Sequence, residues 1–286
     1  MSNPSDRSAG PLRVIQWSTG NVGTYSLRAI LNHPELELAG LWVHSEKKVG
    51  RDAGELCGIG DVGVVATNDA DALLALDADC VCYTATADLR LLEAVEDVCR
   101  ILRSGKNVVS SSIVPLVHPS HMGPDIQKKL EDACREGKAS LWFSGIDPGF
   151  ANDLLPLTLS GLCERWTEIR IREIVNYATY DQPEVVLGTM GFGKSMDELP
   201  LLLQPGMLSI AWGGTIRLLA EGLGVELDEI AQHYECLPAP RDLPTPMGTI
   251  AEGTRAALRF EVQGIVGGEP RLVVEHVTRM HDDLAP

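Results

Sequence analysis

The sequence has 286 residues, of which 44% are hydrophobic, so it is long and apolar enough for one large or two smaller globular domains. It carries 24 basic and 40 acidic residues, a net charge of −16, and so acidic a chain repels nucleic acid and anionic lipid. No uncharged apolar run is long enough for a membrane span, and the polar N-terminal stretch lacks the apolar centre of a signal peptide. We therefore expect a cytoplasmic protein whose partners are neither nucleic acid nor membrane.

Strand and helix signals alternate through the first half of the chain. They predict strands at 13–17, 36–43, 63–66, 79–84, 107–110 and 139–143, and helices at 25–32, 71–76, 89–103 and 125–135. Repetition of strand, helix and strand to about residue 150 indicates an α/β domain, with a doubly wound parallel sheet covered by helices on both faces.

The pattern changes after residue 150. Residues 166–177 alternate between apolar and polar, 183–190 and 207–223 have helical spacing, and two alternating strands at 254–264 and 270–280 are joined by a Val-Gly-Gly-Glu hairpin signal. We predict domains at 1–150 and 151–286, the second of α+β class with a mostly antiparallel, open sheet. Because the open face of such a sheet needs a partner, we expect a homodimer.

The sharpest local signal is a glycine-containing loop between the first strand and the first helix. It consists of Ser18, Thr19, Gly20, Asn21, Val22 and Gly23. In a dinucleotide-binding fold such a loop lets the backbone approach the pyrophosphate, while the helix N-terminus supplies free amides. Ser18 replaces the first glycine of the usual GxGxxG pattern, so a purely structural turn is the alternative.

The residues after the second strand indicate which cofactor binds. An Asp or Glu about 20 residues past the glycines holds the ribose 2′-hydroxyl of NAD. Here His44, Ser45 and Lys48 are placed to donate hydrogen bonds and positive charge to a 2′-phosphate. We predict a preference for NADP, and Glu46 keeps NAD open. The alternative is that this segment is a solvated charged loop.

Three further segments are candidates for ligand contact, with turn chemistry or packing as the alternative for each. Ser111 and Ser112 follow a parallel strand, whose carboxyl end faces the cofactor crevice in open α/β sheets. Residues 145–150 lie at the junction of the two halves. Tyr177 and Tyr180 end the long strand of the second half, and a tyrosine in a cleft can donate a proton or a hydrogen bond.

Metal and hydrolase chemistry have little support in the sequence. The seven cysteines form no CxxC pair, and His118 and His121 have no third ligand nearby, so we expect no metal site. His276 is interpreted as an isolated histidine that is structural or exposed. No GxSxG or HExxH motif is present, which disfavours a hydrolase.

Several segments together resemble one oxidoreductase family. They are RVIQWSTGNVG, ELAGLWVHSEKKVGRDAGELCG, SGKNVVSSS, SGIDPGF, LGTMGFGK and the terminal FEVQGIVGGEP and VVEHVTRM. They resemble enzymes that join a dihydrodipicolinate reductase-type N-terminal domain to a 2,4-diaminopentanoate dehydrogenase-type C-terminal domain, a group that includes native amine dehydrogenases. The resemblance implies a Rossmann domain that binds a nicotinamide cofactor and a second domain that closes over the substrate and forms a dimer.

The resemblance also implies residue roles. It places cofactor contacts at Thr84, Ala85 and Thr86, and at Pro148 and Gly149 of a turn near the nicotinamide. It makes Tyr177 and Tyr180 part of the substrate pocket.

Two departures from the family change these expectations. Amine-forming members carry a glutamate just after the strand that here ends in Ser110 to Ser112, whereas this chain continues Ile-Val-Pro-Leu. An apolar wall cannot hold an ammonium, so a carbonyl, imine or enone substrate is favoured over an amine. Relatives also continue beyond the position of Pro286, so we expect the second domain to be truncated at its C-terminus.

The sequence therefore predicts an NAD(P)-dependent oxidoreductase. It would transfer hydride between NADP, or NAD, and a small, fairly apolar carbonyl, imine, enone or amine, with Tyr177 and Tyr180 as candidate proton donors. The alternative is a catalytically inactive nucleotide-binding protein on the same fold, which acts as a sensor or in an assembly. Cofactor binding without turnover would distinguish the alternative from the enzyme.

Overall fold

The computed structural model describes residues 10–87 and 90–284, and the chain divides into two compact units. The first unit contains the chain up to residue 113 together with residues 122–145. The second contains residues 114–121 and the chain from residue 146 onward. No helix of the described residues is long and apolar enough to cross a membrane.

A six-stranded parallel sheet forms the centre of the first unit, with the strand order β3-β2-β1-β4-β5-β6. Its strands are β1 (Leu12–Trp17), β2 (Leu36–Trp42), β3 (Ala66–Thr67), β4 (Cys80–Tyr83), β5 (Asn107–Ser110) and β6 (Leu141–Phe143). Its helices are α1 (Asn21–Asn32), α2 (Ala53–Cys57), α3 (Ala70–Leu74), α4 (Leu91–Arg103) and α5 (Pro124–Gly137). This order confirms the predicted doubly wound sheet; the expected start of α4 at Leu89 lies outside the described residues.

Strand order brings the functional loops of this unit together. β1 is flanked by β2 and β4, and β5 follows β4, so the loops after these strands leave from the same edge of the sheet. The strands reach that edge as buried apolar runs; Ile15 and Val81 are fully buried, as expected where helices cover both faces. The segments that follow β1, β4 and β5 are those in which the sequence predicts cofactor contacts.

The second unit is built on a four-stranded sheet with the order β7-β12-β11-β8. Its elements are α6 (Leu154–Ser160), β7 (Ile169–Asn176), α7 (Met207–Leu223), β8 (Glu229–Pro238), β9 (Leu243–Thr245), β10 (Gly248–Ile250), β11 (Arg255–Val266) and β12 (Glu269–Arg279). β11 and β12 form the predicted hairpin, and β7 adds to β12 in parallel. The fold class is thus confirmed, with a Rossmann-type sheet followed by an α+β unit.

Two local elements of the second unit differ from the sequence-based expectation. The segment expected to be a helix at 183–190 forms a single π-helical turn, Glu184–Thr189. The edge strand β8 was not predicted, because its sequence, EIAQHYECLP, lacks a regular alternation of apolar and polar residues.

The two faces of this second sheet differ in chemistry. One face packs Leu258, Phe260 and Val274 in a hydrophobic cluster with residues of α7. The opposite face carries Glu275, whose side chain is 2% exposed and lies 2.8–2.9 Å from Arg170, Arg172 and Arg259. Burial opposes the charge of Glu275, but the three guanidinium groups lower its pKa to about 2. Successive residues of β12 therefore alternate between the apolar cluster on one face and the arginine–glutamate network on the other.

Candidate functional site

The predicted phosphate loop connects β1 to α1 and has the backbone of a tight nucleotide-binding turn. Ser18 has a φ of +84°, in the left-handed region that normally favours glycine. A Cβ atom on Gly23 would lie 2.4 Å from the Ser18 carbonyl oxygen and 2.8 Å from Thr84 Oγ1, so only glycine fits there. Ser18 therefore keeps the conformation of the first glycine of GxGxxG although it departs from the residue pattern.

A buried glutamine, which the sequence analysis missed, holds this loop. Gln16 Nε2 donates to the Ser18 carbonyl at 2.9 Å and to Thr84 Oγ1 at 2.8 Å. Thr84 Oγ1 in turn donates to the carbonyl of Trp17 at 3.0 Å. These bonds join the loop after β1 to the loop after β4. The one available signal was a polar residue inside the apolar strand RVIQW.

The N-terminus of α1 fits an anionic group. The helix begins at Asn21 with Gly20 as its N-cap, no side chain caps it, and its first turn contains no acidic residue. A Cβ placed on Gly20 would meet no atom within 4 Å, so the space beside the loop is open. Free amides and a positive dipole end beside open space suit a pyrophosphate, which Thr19, Gly20, Asn21 and Val22 would hold.

The residues predicted to select the cofactor lie beside this loop. Lys48 Nζ donates to the carbonyl oxygen of Thr19 at 2.8 Å and lies 3.0 Å from its hydroxyl. His44 and Ser45 are exposed. Glu46 accepts a hydrogen bond from Asn68 at 2.7 Å. The lysine charge therefore lies at the loop, while the carboxylate is engaged elsewhere.

The remaining candidates of the first unit follow β4 and β5. Ala85 is buried, and Thr86 is exposed. Ser112 donates through its backbone amide to Ser110 Oγ at 3.1 Å and through its hydroxyl to the Tyr83 carbonyl at 3.4 Å. Ser111 beside it is half-buried. Strand pairing of β4 with β5 thus places these segments next to each other.

A separate polar network lies in the second unit, and sequence reasoning did not find it. His276 on β12 is 3% exposed, and its Nε2 lies 3.1 Å from Asp147 Oδ2. Its other ring nitrogen, Nδ1, lies 3.4 Å from Glu173 Oε1 on β7. Trp212 Nε1 of α7 donates to Asp147 at 2.8 Å. The network therefore joins a turn, two strands and a helix of this unit.

The contacts of His276 determine its charge. Burial disfavours the imidazolium, but the Asp147 and Glu173 carboxylates stabilise it and raise the pKa of His276 to about 9. Burial likewise opposes ionisation of Asp147, yet His276, Asn152 and Trp212 lower its pKa below its usual value. At neutral pH the centre of the network is an imidazolium between two carboxylates. One ligand atom from each of Asp147, Glu173 and His276 lies within 4.8 Å of the other two, so the spacing alone would admit a metal ion, and each ring nitrogen of His276 lies beside a different carboxylate.

The two predicted tyrosines adjoin this network. Tyr177 Oη lies 3.5 Å from Glu173 Oε1, and the rings of Tyr177 and Tyr180 meet edge to face with centroids 5.3 Å apart. Burial and the Glu173 charge raise the pKa of Tyr177, so it keeps its proton and acts here as a hydrogen-bond donor. Pro148 and Gly149 directly follow Asp147 and belong to the same unit.

The other two singled-out histidines lie apart from this network and make separate contacts. His118 Nε2 lies 2.9 Å from a Glu221 carboxylate oxygen, and His121 Nε2 lies 2.8 Å from the Ser209 carbonyl oxygen. They have different partners and share no ligand geometry.

Comparison with known proteins agrees with this architecture. Residues 14–95 match the family model for the N-terminus of dihydrodipicolinate reductase, and residues 150–285 match that for the 2,4-diaminopentanoate dehydrogenase C-terminal domain. An amine dehydrogenase of Streptomyces virginiae is 46% identical over 277 residues, which cover 96% of this chain and 77% of the relative. The 2,4-diaminopentanoate dehydrogenase of Acetoanaerobium sticklandii is 25% identical over 64% of this chain and 52% of that protein.

A solved structure supports the same fold. The amine dehydrogenase from Mycobacterium smegmatis superposes with a TM-score of 0.80 at 20% identity, over 97% of this chain and 81% of that one.

The fold and the phosphate loop define an NAD(P)-dependent oxidoreductase of the dehydrogenase class, as the sequence predicts. More closely, the chain belongs to the amine dehydrogenase family, in which a dihydrodipicolinate reductase-type N-terminal domain is joined to a 2,4-diaminopentanoate dehydrogenase-type C-terminal domain. The nicotinamide cofactor supplies the hydride-transfer chemistry, and the protein supplies binding and orientation.

The charged state of His276 predicts how stability changes with pH. Its folded pKa of about 9 exceeds its ordinary value of 6.5, so its contribution is fully present below pH 6.5 and is lost as pH rises through 9. Over that window the free energy of unfolding should fall by about 3 kcal/mol more in the wild type than in His276→Gln. Urea unfolding at several pH values measures this difference, and parallel curves for the two proteins would contradict it.

Proposed function

We propose that this protein is an NADP-preferring dehydrogenase that interconverts a small, fairly apolar amine and the corresponding carbonyl compound. In this proposal residues 1–150 bind the cofactor and residues 151–286 bind the substrate. The observation that carries the proposal is the phosphate loop, with its left-handed Ser18, its sterically required Gly23 and the uncapped start of α1.

Lys48 supports the preference for NADP. Its ammonium group is fixed at the phosphate loop by Thr19, and the neighbouring His44 and Ser45 are exposed and able to donate hydrogen bonds. Glu46, the carboxylate that would suit a ribose hydroxyl, is bonded to Asn68.

Two observations support an amine as the substrate. The relative that is 46% identical is named an amine dehydrogenase. In the second unit, two carboxylates face one imidazolium, which leaves a net negative charge that suits a cationic ligand. These observations outweigh the apolar segment after β5, which favours a carbonyl, imine or enone substrate.

The cysteines bear on the cellular location of the protein. All seven cysteines are free thiols, as expected in a reducing compartment, and this supports a cytoplasmic location.

Cofactor preference is tested by titrating the protein with NADPH and NADH and following its tryptophan fluorescence. We expect NADPH to bind at least about tenfold more tightly than NADH, a difference of about 1.4 kcal/mol. Gly20→Asp should abolish binding of both, because it adds a negative charge to the phosphate site. Tighter binding of NADH would contradict the preference for NADP.

Lys48→Gln separates two roles of that lysine. If Lys48 contacts the 2′-phosphate, the variant loses about tenfold in NADPH affinity and little in NADH affinity; if it only supports the loop, both fall equally. Lys47→Gln removes the same charge one residue away and controls for net charge. Turnover of primary amines with NADP⁺ then distinguishes the enzyme from an inactive binding protein.

We also propose that the charged face of the second sheet mediates a homodimer. This face exposes Ile174 and Leu237 beside the arginine–glutamate network of Glu275. Analytical ultracentrifugation should show a dimer that Ile174→Glu dissociates, whereas Ile59→Glu, an equally drastic change on the first unit, leaves it intact. A wild-type monomer at micromolar concentration would contradict the dimer.

A further inference from the structure

Glu173 is the most exposed carboxylate of the network that it forms with Asp147 and His276 in the second unit. The side chains of Asp147 and His276 are 6% and 4% exposed, whereas that of Glu173 is 27% exposed. Parallel pairing of β7 with β12 places Glu173 directly opposite His276. An external ligand that meets this network therefore meets the Glu173 carboxylate first.

The charge around Glu173 is unbalanced. Asp147 and Glu173 carry two negative charges, and His276 carries one positive charge. Within the described part of the chain no lysine or arginine pairs with either carboxylate; Arg172, next along β7, pairs with Glu275 on the opposite face. A cation of suitable size would complete the site.

Aromatic rings beside this carboxylate suit an organic cation. Tyr177 contacts Glu173, and Tyr180, which is 48% exposed, packs edge to face against Tyr177. Faces of aromatic rings attract ammonium groups, and their apolar surfaces accept an alkyl chain. A carboxylate flanked by tyrosines therefore matches a primary alkylammonium better than it matches a hydrated metal ion.

Packing fixes the ring behind Glu173. The His276 ring stacks on Phe260 with an interplanar angle of 8° and lies 4.6 Å from the Trp212 ring, measured between centroids. The titratable groups beside it are Asp147 and Glu173, with Tyr177 in contact with Glu173, while α7 and β11 contribute the uncharged Trp212 and Phe260. The ring is thus held with Nδ1 at 3.4 Å from Glu173 Oε1.

We propose that Glu173 binds the ammonium group of the substrate and takes its proton, with His276 and Asp147 as positioning residues behind it. This assignment rests on the amine substrate proposed above. It provides the carboxylate that the apolar segment after β5 lacks.

The proton transfer is a single balanced step. One N–H bond of the substrate ammonium breaks, its proton forms an O–H bond with Glu173, and the electron pair stays on nitrogen. The neutral amine then has the lone pair that oxidation of the adjacent carbon requires. Glu173 returns the proton to solvent through its exposed side.

Glu173→Gln tests the assignment, because it preserves shape and removes the negative charge. We expect kcat for oxidation of primary amines to fall at least about 100-fold. Calorimetric affinity for propyl- to octylammonium chloride should fall about tenfold, and NADPH affinity should stay within about twofold. Glu168→Gln, a neutralised carboxylate just before β7, is the matched control and should leave all three values unchanged.

Two more variants keep the test decisive. Glu173→Asp keeps the charge but withdraws it by one methylene, so alkylammonium binding should persist while kcat falls.

The wild-type kcat should decline as pH rises through about 9, where His276 loses its proton, and His276→Gln should lack that decline. A purely structural histidine would not move the pH profile.

The outcomes separate the two proposals. Amine oxidation by the wild type that is equally fast in Glu173→Gln overturns the role of Glu173 and leaves the proposed function intact. A wild type that binds NADPH but neither oxidises amines nor binds alkylammonium ions overturns the amine substrate and the role of Glu173 with it. Amine turnover that is lost in Glu173→Gln, with NADPH affinity unchanged, supports both.

Discussion

The second unit depends on one buried charge, the imidazolium of His276. An ion removed from water needs an opposite charge in contact with it, because desolvation otherwise costs several kcal/mol. Asp147 and Glu173 provide that charge from a turn and from a neighbouring strand, and Trp212 binds Asp147 from α7. Four segments far apart in sequence are thereby held around a single ring.

In the first unit a buried side chain also joins separate segments, but that side chain is uncharged. Gln16 is a fully buried polar residue in a largely apolar strand, and its amide holds the phosphate loop against Thr84 of the loop after β4. Since an unsatisfied buried amide is costly, the two loops have one favourable relative position. In both units a buried polar side chain within a strand positions functional residues. Gln16 positions the loop that follows its own strand, and His276 positions Glu173 on the neighbouring strand.

Local chemistry explains which parts of the structure were predictable. The order of elements in the first unit and the hairpin of β11 and β12 follow from periodicity and turn signals, and the phosphate loop follows from its place between a strand and a helix. The cluster of Asp147, Glu173 and His276 could not be predicted in this way, because its members are distant in sequence. Only the parallel addition of β7 to β12 places Glu173 opposite His276, and no local pattern encodes that pairing. The adjacent Glu275 and His276 inside an apolar strand were the one visible sign, since a strand points neighbouring side chains to opposite faces.

The protonation state of His276 is the most direct test of this account. Nitrogen-15 NMR of the imidazole ring, with His276→Gln to assign the signal, reports whether each ring nitrogen carries a proton. At pH 7.5 we expect an imidazolium with both nitrogens protonated, which becomes neutral only near pH 9. A neutral ring at pH 7.5, with one protonated nitrogen, would contradict the charged centre from which the geometry of the second unit and the role of Glu173 are derived.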